Sequence, residues 1–298
     1  MAVGSRAGHQ VRTWTGTSSA DPDTDTRYDY DPLGRLDAVR AVARNGEAIT
    51  PEVTDYVYDL LGNLDQVRLP NDVVSDYDYD SLNRLELLRQ FHDENDNHTY
   101  ESSVDALLAE FDYDLLADGR RSGVTETDDQ DNTTRIDWLY DDVGRLVGEA
   151  YNSYDDDLDF ITGYEFDLAG NRLEKASDTA PASGDFTAFL SSGTLTPDET
   201  VTYTYDDNDR LLTEVKDATG TADDRYTEYE YGEDNSGTQQ TAKTVHEGLT
   251  SSGDVVAETT YAYNLQGRMS QTLLDEDGDS VDEKKVEYEY DDDGIRVS

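Results

Sequence analysis

The sequence predicts an all-β protein, a repeat array of antiparallel β-hairpins following one another along a curved, spiralling sheet. Three observations carry that expectation. Pairs of aromatic residues at i and i+2 recur along the chain, at Tyr28/Tyr30, Tyr56/Tyr58, Tyr77/Tyr79, Phe111/Tyr113, Trp138/Tyr140, Tyr164/Phe166, Tyr203/Tyr205, Tyr229/Tyr231, Tyr261/Tyr263 and Tyr288/Tyr290. An Asp follows the second aromatic in most copies, and a Gly stands three residues beyond it. Between copies lie polar stretches rich in Asp, Asn and Gly, such as "HDENDN" from 92, "TDDQDNTT" from 127, "KDATGTADD" from 216 and "DEDGDS" from 275.

Residues i and i+2 share a face of a strand but lie roughly 200° apart around a helix, so each aromatic pair argues for β structure. The ten pairs use 20 of the 29 aromatics, and Tyr30 and Tyr290 lie 260 residues apart over nine intervals, a mean period near 29. A period of that size marks units that complete their packing against neighbours. The residue within the pair is often acidic, as at Asp29, Asp78, Glu165, Glu230 and Glu289. One face is therefore aromatic and the other wet.

The Asp residues at 31, 59, 80, 114, 141, 167, 206 and 291, replaced by Asn264 and Gly232 in two copies, read as first corners of turns. Gly34, Gly62, Gly144, Gly170, Gly267 and Gly294 supply the left-handed position that ends them. Arg-Leu or Asn-Leu follows, and alternation such as Leu36, Ala38 or Leu146, Gly148 restarts a strand. Each unit reads as strand, tight turn, strand, giving about twenty strands in all. Residues 1–27 form a lead segment and 28–298 the array, with inserts near 91–110 and 176–200. In the first insert, "SSVDALLAEF" from 102 places Val104, Leu107, Leu108 and Phe111 at helical spacing behind a Ser cap, which predicts a short helix. The second is expected to be a loop of small and polar residues anchored by Phe186, Phe189 and Leu190.

Composition bounds the function. A net charge of −46, from 69 acidic and 23 basic residues, opposes contact with nucleic acid or anionic lipid, since phosphate binding needs clustered Lys and Arg. Cations and basic partners are favoured. Asp outnumbers Glu 48 to 21 and Arg outnumbers Lys 18 to 5, a profile that fits a salty medium. Without Cys, disulfides and thiolate metal sites are excluded. No apolar run reaches the roughly 18 residues of a membrane span, and the N-terminus lacks the apolar region of a signal peptide. The expectation is a secreted or cell-surface protein that leaves by another route or is part of a longer secreted chain.

Tyr-Asp-x-x-Gly-Arg-Leu, as "YDPLGRL" from 30 and "YDDVGRL" from 140, and the variant "FDLAGNRL" from 166 resemble the YD repeats of Rhs proteins. Similar repeats occur in the BC components of Tc toxins, in wall-associated bacterial proteins and in teneurins. The resemblance spans residues 28–298. The copy at 229, "YEYGEDNSGTQQ", lacks the Asp and the Gly-Arg-Leu, and the copy at 111, "FDYDLLADGRRSG", carries two extra residues before its Gly-Arg. The resemblance implies a partial Rhs-type shell: a β-sheet strip that, in the whole protein, encloses a C-terminal polypeptide, often a toxin. It carries over no catalytic or binding residue. The family's shell-closing core segment is absent and the chain stops part-way through a repeat, so a fragment of a longer chain is expected.

No phosphate loop, nucleophile elbow or paired-His motif is present, and no enzyme is expected. His92 and His98 with Asp93, Glu94 and Asp96 have the residue types of metal ligands, but a solvated hairpin tip is the better account of them and metal the lesser one. Asp275, Asp277 and Asp279 alternate in the manner of a calcium loop. However, Gly278 stands at position 4 where an EF-hand has its Gly at position 6, and position 12 is Val286 rather than Glu. Turn geometry alone also calls for Asp and Gly, so calcium is the lesser reading there and no other cofactor is expected. The aromatic stripes have an alternative reading as a carbohydrate-binding or adhesive surface. The expected partners are the remainder of the protein's own chain, including a C-terminal cargo, or a cell-surface glycan or protein.

Overall fold

The computed structural model describes residues 2–6, 9–18, 21–155, 158–182, 184–218, 220, 223–232, 237–291 and 294–297. The chain divides into two compact units, Met1–Ile136 and Asp137–Ser298. The protein is all-β. In the first unit run β1 (Ala2–Arg6), β2 (His9–Ser18), β3 (Asp21–Tyr30), β4 (Leu36–Arg44), β5 (Glu47–Tyr58), β6 (Leu64–Arg68), β7 (Val73–Tyr79), β8 (Leu85–His92), β9 (Ala106–Leu115) and β10 (Arg121–Asp128). Strand β11 (Thr133–Tyr140) runs across the division. The second unit holds β12 (Leu146–Asn152), β13 (Phe160–Phe166), β14 (Arg172–Asp178), helix α1 (Asp185–Ser192), β15 (Glu199–Tyr205), β16 (Leu211–Ala218), β17 (Arg225–Tyr231), β18 (Gln240–Glu247), β19 (Val255–Tyr263), β20 (Met269–Asp275) and β21 (Lys284–Glu287).

Within each unit every described pairing is antiparallel and joins strands consecutive in sequence, from β1 to β10 and from β12 to β21. Such a meander makes only local connections. A bulge recurs beside the second aromatic. Tyr30 pairs with Leu36 and Asp29 with Ala38, leaving Asp37 as the extra residue. The same step leaves Asp65, Glu86 and Leu212 as extras in three further hairpins. Each bulge adds local right-handed twist at a fixed place in the repeat.

Most of the described turns lie where the sequence places them. In the first, the Asp31 N–H donates to Arg35 O at 2.9 Å, the Gly34 N–H donates to Asp31 O at 3.0 Å, and Gly34 has φ +83°. This is a three-residue hairpin loop closed by a left-handed residue. Where Gly is missing, Asn83 and Asp209 take the position at φ 67° and 60°, the residue types that bear it best after Gly.

Two local expectations exchange places. Residues 102–104 form a turn and Ala106–Leu115 is strand β9, not helix. A spacing of four fits both periods: Leu107 and Phe111 pair with Phe91 and Leu88 of β8, while Leu108 is exposed. Helix α1 instead forms in the second insert. Gly193, at φ 68°, ends it by donating its N–H to Phe189 O. Phe186 and Phe189 turn inward onto Ala150 and Ile161, with Leu139 and Leu195 beside them, forming the one apolar cluster of buried residues among those described. Gly148 admits the ring, since a Cβ there would meet Phe189 Cζ at 2.5 Å. Phe189→Ala should therefore lower stability by roughly 3 kcal/mol, measured by urea denaturation. A change within error would mean the helix contributes no packing to its unit.

Candidate functional site

The side chains that define the repeat converge at the hairpin turns. Asp31 Oδ1 accepts the N–H groups of Leu33 and Arg35, both at 2.9 Å, while Oδ2 accepts Arg35 Nε at 2.7 Å. Asp80 with Arg84, Asp141 with Arg145 and Asp206 with Arg210 repeat the arrangement. Asn63 and Asn171 replace the guanidinium by donating Nδ2 to Asp59 and Asp167 at 2.7 and 2.9 Å. The same clasp closes the opposite end of one hairpin, where Asp128 Oδ1 holds the N–H groups of Gln130 and Asn132, each at 2.9 Å. Asp114 is a correction to the expected pattern. The two extra residues move its corner to Leu116, whose carbonyl accepts the Gly119 N–H at 2.9 Å, and Asp114 instead bonds Arg135 Nη2 at 2.6 Å. For the copy at 229, residues 233–236 lie outside the described residues.

The clasp residue also reaches the next hairpin. Arg84 Nη1 donates to Leu116 O at 2.6 Å and Arg145 Nη1 to Asp167 O at 2.8 Å. The guanidinium carbons of Arg35, Arg145 and Arg210 stand 4.2, 5.0 and 4.9 Å from the ring centroids of Tyr58, Phe166 and Tyr231. In return the second tyrosine of a hairpin donates its hydroxyl to a carbonyl at the start of the preceding hairpin's second strand. Tyr58 bonds Leu36 O, Tyr79 bonds Leu64 O, Tyr205 bonds Arg172 O and Tyr231 bonds Leu211 O, all at 2.9 Å. Tyr263 bonds Gln240 O at 2.8 Å and Tyr290 bonds Met269 O at 2.9 Å. The sequence pattern shows the residue after the Gly and the preference for Tyr, but not the bonds that either makes. The recurrence of Arg or Asn four places after the Asp was the available signal.

The acidic loop from 275 gathers Asp275, Asp277, Asp279 and Glu283 so that one ligand oxygen from each falls within 4.8 Å of the others. Asp275 is buried and organises the loop, taking the N–H groups of Asp277 (3.2 Å) and Gly278 (2.6 Å) on Oδ1 and of Ser280 (2.7 Å) on Oδ2. Asp93, Asp96 and His98 likewise come together. Buried Asp93 accepts His98 Nδ1 at 2.9 Å and the backbone N–H groups of Asn95, Asn97 and His98. His92 Nδ1 stands 3.4 Å from Glu94. His246, buried in β18, has Nε2 at 3.0 Å from Glu228 Oε1 and Nδ1 at 3.1 Å from Gly253 O. The side chain of His9 lies outside the described residues.

No protein-family model matches the chain, and no curated protein matches it. Among solved structures it is similar to the crystal structure of TcdB2-TccC3-TEV at 14% identity and a TM-score of 0.44, over 97% of this chain and 16% of that one. It is similar to TcdB2-TccC3 at 14% identity and a TM-score of 0.40, over 96% of this chain and 17% of the other. A porin-like protein from Bacteroides uniformis is similar at 10% identity and a TM-score of 0.34, over 79% of this chain and 91% of that one. The chain thus spans about a sixth of the length of the first two.

Two predictions follow from the clasp and the hydroxyl bond. The first concerns the hydroxyls: Tyr58→Phe, Tyr79→Phe, Tyr231→Phe and Tyr263→Phe should each cost about 1 kcal/mol in urea unfolding, because a carbonyl loses its donor while the ring stays. Unchanged midpoints in all four would show that the hydroxyls do not join the hairpins.

The second concerns pH. Hydrogen bonds from Arg84, Asn171 and Arg210 hold the Asp80, Asp167 and Asp206 carboxyls below the usual carboxylate range. At Asp31, Asp59 and Asp141 burial pushes upward, but the bonds from the residue four ahead and the turn amides outweigh it. The unfolded chain binds these protons more readily, so the clasp's contribution is present above about pH 4 and is lost as pH falls further. Tyrosines shift the other way. Burial raises Tyr58, Tyr79, Tyr205, Tyr231 and Tyr263, and pushes Tyr229 up to about 12. Their contribution is full below about pH 10 and is lost as pH rises beyond it. The melting temperature should therefore fall both below about pH 4 and above about pH 10, and a flat profile at either end would contradict the corresponding set of bonds.

Proposed function

We propose that the chain is a structural, non-catalytic YD-repeat segment of an Rhs-type shell in a secreted or cell-surface protein, a wall that encloses or displays an attached C-terminal polypeptide such as a toxin. The observation that supports this reading most is how the repeat spends its polar groups. The conspicuous Asp, Arg and Tyr side chains are bonded within a turn or between successive hairpins, with backbone groups as their principal partners. A chain built that way holds a surface in shape. Its partners are then the remainder of the longer chain and the polypeptide it surrounds. The large acidic surplus favours a basic or cation-rich interior or medium.

The test uses the full-length protein with its C-terminal segment. That segment should resist protease under native conditions and become sensitive when the sheet is unfolded by urea, whereas residues 1–298 alone should give a fused cargo no protection. A cargo that is digested at the same rate in the native full-length protein would remove the enclosing role and leave display or adhesion in its place. Melting temperature should also rise with NaCl as carboxylate repulsion is screened. An additional rise in CaCl2 at matched ionic strength, abolished by Asp277→Asn with Asp279→Asn, would assign calcium to the loop from 275.

A further inference from the structure

Strands β12 to β15 carry an open cleft of about 500 Å³ on the face that bears the aromatic pairs. Its floor is a row in register across four strands, Glu149, Thr162, Ser177 and Glu199. Thr162 and Ser177 are buried, with their hydroxyls 3.1 Å apart. Phe160, stacked on Tyr151 with centroids 5.4 Å apart and planes 2° from parallel, supplies one apolar wall, and Tyr164 supplies another.

The charges in this cleft are unevenly satisfied. Glu199 is paired with Lys216 at 2.7 Å, and buried Asp159 accepts the Ser153 N–H at 2.6 Å. Two groups of opposite sign are left over. Glu149 accepts the Trp138 indole N–H at 3.2 Å and forms no ion pair among the described residues. Lys175 lies opposite Tyr164 and Val201, and among the described residues it has neither an ion pair nor a ring contact. The other four lysines all have one: Lys216, Lys284 and Lys285 pair with carboxylates, and Lys243 stands over the Tyr229 ring. In a chain with 69 acidic residues, a half-buried lysine that forms no ion pair among the described residues stands apart. Glu149 and Lys175 are two strands and two residues apart, roughly 12 Å between backbones, with the apolar walls beside them.

We propose that this cleft binds a small zwitterion of the α-amino-acid type, with its carboxylate on Lys175, its ammonium on Glu149 and an apolar or aromatic side chain against Phe160 and Tyr164. An anion alone would meet Glu149 and the net charge of the chain, and a cation alone would meet Lys175. A ligand carrying both charges satisfies both groups, and the aromatic walls give it a face to bury. Binding of this kind is independent of any enclosing role.

Trp138 is a built-in reporter, because its indole shares Glu149, and Trp14→Phe leaves it as the only tryptophan. L-Phenylalanine titrated into that variant should shift the Trp138 emission saturably. L-Phenylalaninamide, which lacks the carboxylate, and N-acetyl-L-phenylalanine, which lacks the ammonium, should bind at least about tenfold more weakly. Lys175→Met should weaken L-phenylalanine about tenfold by calorimetry while leaving the melting temperature in place. If that variant does not fold, the comparison of the three ligands on the parent decides alone. No saturable response up to the solubility limit, equal responses from all three ligands, or full affinity in a folded Lys175→Met protein would each overturn the proposal.

Discussion

The structure depends on a carboxylate at the corner of a turn. Asp31 and its counterparts hold two amides of their own turn and, in the same act, fix the guanidinium or amide four residues ahead. A fixed guanidinium has other donors to spend, and Arg84 and Arg145 place one on the corner carbonyl of the following hairpin. The returning tyrosine hydroxyl completes the link in the opposite direction. Hairpins are thus joined by directional polar bonds between adjacent copies, and a nearest-neighbour chain of such bonds extends without needing a central core.

This explains why so few large side chains are fully buried. The largest fully buried side chains among the described residues are Phe91, Ile161 and Val74, and the one apolar cluster needs a helix laid over strands to form. The aromatic pairs are half-buried: their rings give flat packing surface and platforms for arginines, while the second ring also carries the hydroxyl. Where the pattern departs, a contact between successive hairpins remains. Asn171 reaches Asp209 of the next turn at 2.8 Å, and Phe166, which has no hydroxyl, keeps the Arg145 contact. The side chains of the exposed leucines at the turn tips, those of Leu61 and Leu168 among them, take no part in these links.

Most of this fold was legible because its signals are local. Alternation, the corner Asp and the left-handed Gly each act within five residues, and together they placed the strands and turns. The failures came where a local pattern has two solutions. Val104, Leu107, Leu108 and Phe111 satisfy helical spacing, but β8 offers Leu107 and Phe111 a strand's neighbours, β10 pairs with Phe111 from the other side, and strand pairing outweighs a lone amphipathic turn. At Phe186 and Phe189 the reverse holds: two rings three apart pack on Ile161 and Ala150 only if the segment is helical, and nothing in that polar stretch names the distant surface they need. The candidate sites show the same limit. Asp275, Asp277 and Asp279 could be grouped from sequence, but the addition of Glu283 depends on how the loop folds back. Lys175 and Glu149 sit 26 residues apart and become neighbours of one cleft only through strand register.

The excess of Asp over Glu takes on a different meaning once the turns are seen. Read as composition, 48 Asp against 21 Glu suggests adaptation to salt. In the structure many of these aspartates are the residues whose side chains bond their own backbone: Asp31, Asp59, Asp80, Asp128, Asp141, Asp167 and Asp206 at hairpin ends, with Asp93, Asp105 and Asp275 in the loops. A carboxylate one methylene from the backbone reaches the amides two and four residues ahead; Glu, one methylene longer, leaves that geometry. A chain that must turn at every hairpin therefore accumulates Asp whatever the surrounding medium. The Arg bias has a matching cause, since a guanidinium can hold its own Asp through Nε and still donate from Nη1 to the next hairpin, whereas a lysine ammonium has no such fork. Part of what looks like solvent adaptation is the repeat's own architecture, and the surplus charge is carried both by carboxylates outside the clasps and by those, such as Asp59, Asp128 and Asp167, whose clasp uses Asn in place of Arg.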